Sequence, residues 1–477
     1  MIYPGFCGQS YASTSFQLDA EECFNLFPEI INLPGVTPKS KIILRRRPGY
    51  SLLQTIADSP GRGKFSLNGR DFAVVGASFV EILSPTTSVV RGVVPSGTSP
   101  ALWAATQTQI VVVVGGLGYC YNLASNAFQQ IPTNGGFPPN CISICSLDTY
   151  FVALGANTNE FSLSGLLDGL TWAAIDFGSS QEPDNAVAIV NCHGYLWILG
   201  ENETVLFQDS GNASFPLTRV NGSQIEQGCG ATNSVAVLDN TLLWLGQDAH
   251  GAAVVYRADG QIPTRVSTEA VEAAIQGYTR YDDAVAAVYQ RDGHLFYSLH
   301  FPTANTTWTY DLSTQMWHRR GWWNTTSGTW SADLGRYVSY AFGKHIVCDY
   351  TNGNIYEMTR AAATDGGNPL RWLRVAPYVV AEAKRLFFRW FQVDLQVGGG
   401  LPGNVDPQIM IRWTNDGGST WSSYRQASCG KTGEYLKRVI TRMCGSSRSR
   451  AFEVSGTDPI PDLAIFEAYI GVEKGLS

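Results

Sequence analysis

Between residues 60 and 360 the chain repeats one phrase: a turn, a short apolar run, a second turn and another apolar run. GRGKFSLNGRDFAVVGASFVEIL is the first copy. Its Asn68-Gly69 pair stands between alternating apolar residues and suits a two-residue hairpin, where both turn positions need positive φ. TQTQIVVVVGGLGYCYNLASNAFQQI follows, and its Val111 to Val114 run suits a strand buried on both faces. Further copies read LDTYFVALGANTNEFSLSGLLDGLTWAAI, NCHGYLWILGENETVLFQDSG, VLDNTLLWLGQDAHGAAVVYRADGQIPTRV, QRDGHLFYSLHFPTANTTWTYDLSTQMWHRR and FGKHIVCDYTNGNIYEMT.

A recurrence of roughly 40 to 50 residues is the length of one four-stranded blade, so the pattern predicts a β-propeller of six or seven blades over residues 41–362. A single blade cannot bury both faces of its sheet; radial stacking does so. Lys41 to Ile56 is the expected strand that closes the ring, and residues 1–40 read as an N-terminal arm. Residues 267–278, STEAVEAAIQGY, break the pattern with a helical spacing behind Ser267 or Thr268 as N-cap. AAATDGGNP at 361–369 reads as a polar linker. Beyond it, alternating segments such as RLFFRWFQVDLQV and QIMIRWTNDGG predict a β-sandwich over 363–477. Removing residues 370–477 is therefore expected to leave a folded propeller.

Composition narrows the class. An apolar fraction of 44% with 15% charged residues describes folded domains, and 12% aromatics with 49 Gly favour strands and tight turns. The net charge of −7 argues against general coating of nucleic acid, though not against a local basic patch in an assembled channel. No apolar run is long enough to span a membrane, and the N-terminus lacks a cationic and apolar leader. The ten Cys are scattered through apolar text and read as buried thiols. Cys141 and Cys145 lack the second ligand pair that zinc needs, so no cofactor is expected.

Candidate chemistry is sparse. Asp416, Gly417, Gly418 and Trp421 form an Asp-box, in which the carboxylate caps a turn, the glycines take positive φ and the indole packs beneath. In sialidases this box is structural and repeated, whereas here it occurs once and outside the repeats. The adjacent acids Glu21-Glu22 and Asp282-Asp283 point to opposite faces of a strand, so neither pair flanks a scissile bond. His294 reads as a hydrogen-bonded structural residue, and no catalytic constellation is visible. Two basic clusters are candidates for contact with a partner or with DNA phosphates: Arg45, Arg46 and Arg47, and then Lys437, Arg438, Arg442, Arg448 and Arg450.

The order of several phrases resembles the packaged-DNA stabilisation, or tail hub, family of short-tailed bacteriophages. They are FNLFPE (24–29), RRPGY (46–50), FSLSGLLDGLTW (161–172), FPLTRVNGSQIEQGCGATNSVAVLDNTLLWLG (215–246), STEAVEAAI, GHLFYSLHFP, TWTYDLSTQMWHRR and the 411–459 segment. The resemblance implies a non-enzymatic virion tail protein, made in the host cytoplasm and added after genome packaging. It implies a ring of six copies, joined to the portal adaptor above and to distal tail, needle or fibre proteins below, that retains DNA in the channel. Two rivals stand beside it: a sialidase-like propeller acting on host sugars, which needs convergent acids and arginines in the central opening, and a carbohydrate-binding module using Trp322-Trp323.

Overall fold

A computed structural model describes residues 1–477 apart from 14, 16, 17, 33–39, 213, 214, 383, 461, 476 and 477. Strand makes up 56% of the chain and helix 2%, so the molecule is all-β, a propeller followed by a sandwich. No helix is long and apolar enough to cross a membrane.

Among the described residues the propeller has seven blades: residues 61–93, 102–130, 141–179, 186–219, 228–265, 285–320 and 337–359. Within the first six, the strands pair in chain order, except that in blade 5 Gly228–Cys229 and Ala236–Leu238 both pair with Thr241–Asp248. The Asn68-Gly69 turn closes the first hairpin of blade 1 with both residues at positive φ, 51° and 78°. Blade 7 takes its outermost strand from far upstream: Gly49–Thr55 pairs antiparallel with Asn354–Thr359 and closes the ring.

Each blade buries its faces against its neighbours. Phe72 and Phe79 of blade 1 meet Val112 and Tyr121 of blade 2. Trp197 of blade 4 meets Trp244 of blade 5, and Ile346 of blade 7 meets Val80 of blade 1. Val111 to Val114 is buried throughout, as expected of a strand covered on both sides. The helix Glu269–Gln276, capped by the Thr268 hydroxyl on Val271 N–H, packs Val271 and Ile275 into the cluster between blades 5 and 6.

The sandwich is assembled from both ends of the chain. One sheet runs, in spatial order, Ala20–Phe24, Trp372–Val375, Ser449–Gly456, Gln408–Thr414, Arg425–Ser428. The other runs Leu26–Ile30, Ile42–Arg46, Ala464–Lys474, Leu386–Leu395, Val439–Arg442. Between them Phe391 and Phe452 stack at 4.3 Å, and Tyr3, Phe6, Cys23, Leu26 and Leu44 complete the core. Within the expected arm over 1–40, Ala20–Phe24 and Leu26–Ile30 are instead sandwich strands (14, 16, 17 and 33–39 lie outside the described residues), and Ile42–Arg46 belongs to the sandwich rather than to the propeller. Apolar side chains at Tyr3, Phe6 and Leu26 need a buried face, and the C-terminal sheets supply it.

The expected linker is also structured. Thr364–Asp365 and Asn368–Pro369 pair as a small hairpin, and Asp365 pairs with Tyr50 beside the ring-closing strand. Blade 6 and the sandwich even share one sheet, because Phe24 pairs with Arg319 at the blade's outer strand.

Candidate functional site

The FNLFPE and RRPGY phrases meet where propeller and sandwich join. Asn25, buried and at φ 54°, is the hinge point at which the chain leaves one sandwich sheet for the other. Its amide donates to the carbonyls of Gly321 and Arg371, both at 2.7 Å, and its Oδ1 accepts from Arg47 Nε at 2.7 Å and from Gly321 N–H at 3.1 Å. All of its amide's hydrogen-bonding capacity is thereby used, across three separate parts of the chain.

Arg47 is the second element. Its guanidinium donates to both Asp365 oxygens, at 3.0 and 2.7 Å, and lies 3.5 Å from Asp333, all nearly free of solvent. Tyr50 donates to Asp333 at 3.0 Å. Burial alone would lower the Arg47 pKa, yet Asp333 and Asp365 hold it above its ordinary value, so the cation is permanent. Burial pushes Asp365 up to about 6 even against Arg47. Asp333 also feels burial, but Arg47 and Arg320 pull it below the usual range. Planar bidentate geometry of this kind fixes orientation as well as charge.

Blade 6, beside this junction, buries imidazoles. His294 Nδ1 lies 2.6 Å from Asp311, a hydrogen-bonded structural position. Burial pushes His300 down to about 3, and His318, which accepts from Arg320 Nε at 3.1 Å, down to about 4. On the sandwich side, Arg374 interrupts the apolar WLRV run and turns inward, donating to the carbonyls of Phe6 at 2.7 Å, Gln9 at 2.8 Å and Gly5 at 3.0 Å. It clamps the N-terminal loop onto the sandwich.

The basic clusters split on inspection. Arg46 and Arg47 are buried, and burial, then the neighbouring Arg47 charge, lowers the Arg46 pKa. Arg450 is buried as well: it donates to Asn415 Oδ1 at 2.8 Å and to the Cys444 carbonyl, with Phe388 4.4 Å from its guanidinium carbon, and burial pushes it down to about 10. These three are corrected from contact candidates to internal residues: Arg46 and Arg450 are buried on their strands, while Arg47, just past the end of Ile42–Arg46, is held inside by Asn25 and Asp365. Arg45 is half-exposed and pairs with Glu29, while Lys437, Arg438, Arg442 and Arg448 are exposed.

The Asp-box turn holds the expected local bonds. Asp416 accepts from Thr420 N–H at 2.9 Å and from its hydroxyl at 2.6 Å, which, with Thr414, keeps the carboxyl below its ordinary pKa. Gly417 and Gly418 are at φ 73° and 84°, and Trp421 lies under Arg412 at 4.5 Å.

The first strands of all seven blades line a central tunnel of about 790 Å³, with Lys64, Trp103, Ser143, Asn191, Asn233, Val288 and Tyr337 on its wall. Among the described residues no Asp or Glu lines it, so it does not bring two carboxyls to a glycosidic bond. Trp322 and Trp323 are half-buried, and Arg371 covers the Trp323 ring at 3.9 Å. Sequence reasoning missed Asn25, Asp333, Asp365 and Arg374. The usable signal was a charge or amide inside apolar text, as in WLRV and CFNLF.

The chain matches the family model for bacteriophage P22 Gp10, β-propeller, over residues 8–363 and that for bacteriophage P22 Gp10, β-sandwich, over residues 371–473. No curated protein matches it. Similar solved structures include the extracellular domain of BT4673 from B. thetaiotaomicron, described as a hybrid two component system: 8% identity, TM-score 0.44, covering 83% of this chain. This chain spans only 48% of that one. The N-terminal domain of Nup159 is similar at 11% identity and TM-score 0.41, over 68% of this chain and 97% of that chain. BamB from Moraxella catarrhalis is similar at 11% identity and TM-score 0.38, over 69% and 97%.

Proposed function

The chain belongs to the family of bacteriophage P22 Gp10, and on that premise we propose that it is a non-enzymatic subunit of the phage tail hub, retaining packaged DNA. It connects the portal adaptor above with distal tail, needle or fibre proteins below, and works as a ring of copies around the DNA channel. The supporting observation is the junction. A connector must transmit force between neighbours without bending, and here Asn25, Arg47 and Asp365, together with the shared Phe24–Arg319 pairing, tie propeller and sandwich into one body.

The half-exposed Arg45 and the exposed Lys437, Arg438, Arg442 and Arg448 are the contact candidates toward protein neighbours or DNA phosphates. Such contacts weaken with salt because exposed charges act through screened attraction. The test uses filled heads made without this chain. Added purified protein should bind them and stop DNA release, less effectively at higher salt. Heads that bind the protein and still lose their DNA would defeat the reading. Turnover of a host polysaccharide, lost in a folded single-acid variant, would restore the enzymatic alternative.

A further inference from the structure

Charge is divided unevenly along this chain. Residues 370–477 hold 14 Lys and Arg against 10 Asp and Glu, a net +4, which leaves −11 on residues 1–369. The extreme lies in blades 2 to 4: between Arg91 and Arg219 the sequence contains no Lys or Arg at all. Arg219 itself is taken by Glu182 in an ion pair.

Exposed apolar side chains sit on both of these oppositely charged regions. At the sandwich, Leu436 is 96%, Met443 84% and Tyr435 68% exposed, beside the exposed cations Lys437, Arg438 and Arg442. On blade 3, Ile175 is 83%, Leu166 62% and Phe177 50% exposed, beside Asp176 and Glu160. Both regions also lie at or beside the last strands of their sheets, although Gly136 N–H donates to the Trp172 carbonyl on blade 3 and Tyr435 and Leu436 sit in the turns before Val439–Arg442. The strand Asp168–Ser179 is the last of blade 3, and its pairing jumps from Trp172 to Phe177, which loops Ile175 outward. Arg425–Ser428 and Val439–Arg442 are the last strands of the two sandwich sheets counted from the propeller. Exposed apolar side chains grouped beside a terminal strand are a site for docking.

The two regions belong to separate parts of the fold, blade 3 and the strands of the sandwich counted last from the propeller. The sandwich is anchored to blades 6 and 7, and its basic edge is the one farthest from them. In a ring of seven blades the side opposite blade 7 is that of blades 3 and 4. The acidic apolar region of blade 3 and the basic apolar region of the sandwich are complementary in charge and character, and a second copy of the chain offers each its match.

Resting on the tail-hub reading above, we propose that copies of this chain join head to tail, the Tyr435–Met443 edge of one sandwich docking on the blade 3 edge around Ile175 of the next. Such a heterologous contact generates a ring when its rotation closes. Opposite charge selects the register and speeds encounter, while the apolar centre supplies the contact area.

The test uses the purified full chain with two variants, Leu436→Asp and Ile175→Asp, both at highly exposed positions that leave the cores intact. Native mass measurement should give multiples of 51.9 kDa for the parent chain and a monomer for each variant alone. Mixing the variants should give a dimer and nothing larger, because each retains one undamaged edge and those two edges match. A mixture that stays monomeric, or a variant that assembles like the parent, overturns the proposal. A parent chain that is monomeric at every concentration, yet retains DNA when added to heads, also overturns it while leaving the tail-hub reading intact. Assembly as described together with no retention of DNA does the reverse.

Discussion

The propeller and the sandwich solve the same problem, covering the faces of β-sheets, with opposite chain economies. Six blades are each built from one continuous stretch, such as 102–130 or 141–179, and each buries itself on its sequence neighbours. The sandwich instead draws strands from 20–46 and from 372–474 and interleaves them, so Leu44 pairs with Ile465 and Glu22 with Val375. Local pairing makes the propeller legible as a repeat and quick to nucleate; distant pairing makes the sandwich dependent on completion of everything between. The seventh blade, closed by Gly49–Thr55, and the Arg47 cluster beside it are where the two modes meet. A propeller that is locally built is therefore globally tied to its sandwich.

That contrast can be broken most severely by truncation. Removing 370–477 strips the partners of Leu26–Ile30 and Ile42–Arg46 and exposes Tyr3, Phe6 and Leu26. At roughly 1.5–3 kcal/mol for each large side chain the loss rivals a whole domain's stability, so the truncated chain should aggregate. This reverses the sequence-based expectation of a surviving propeller. A shorter chain of residues 47–369 keeps ring closure and drops both halves of the sandwich; it should stay soluble and melt cooperatively by circular dichroism. A soluble, monodisperse 1–369 fragment would show the sandwich to be dispensable.

Next in size is the junction. Asp365→Ala leaves Arg47 buried beside Asp333 alone, and removing one partner of such a pair costs about 3–5 kcal/mol. Calorimetry should show the single transition of the parent chain splitting into two as the domains uncouple. An unsplit, unshifted transition would mean the coupling rests on the shared sheet and not on this ion pair.

Acid should act on the same region with a defined sign. His300 and His318 titrate near 3 and 4 in the fold but near 6.5 when unfolded, so below pH 6.5 the unfolded chain binds more protons. Stability is then complete above pH 6.5 and falls by more than about 1 kcal/mol toward pH 4. Asp365, near 6 when folded and lower when unfolded, contributes in the opposite direction between pH 6 and 4. Melting scans against pH should therefore flatten in His318→Gln and steepen in Asp365→Asn.

The smallest effects belong to turns inside each region. Gly69 in blade 1 and Gly418 in the sandwich both take positive φ with open space around the Cβ position. Replacing either by Ala costs about 1 kcal/mol through backbone strain alone. Denaturant titration should show similar small shifts for both. A far larger cost at Gly418 would mark the Asp-box turn as a contact site rather than a local cap.

Hairpins such as the one at Asn68-Gly69, the buried run Val111 to Val114 and the helix behind Thr268 were readable because turn chemistry, alternation and capping act between residues a few positions apart. The phrase length likewise implied blades, and the Asp416 turn its own bonds. What the chain's linear order does not contain is which distant strand covers which face. Only the folded molecule turned Ala20–Phe24 and Leu26–Ile30 into sandwich strands, made Asp365 the counter-ion of Arg47, and buried Arg46, Arg47 and Arg450 while leaving Arg442 and Arg448 in solvent. A basic residue on a strand reads the same whichever face it occupies, and the face is decided by long-range packing, where a buried guanidinium persists only if carbonyls, amides or carboxylates converge on it from remote segments.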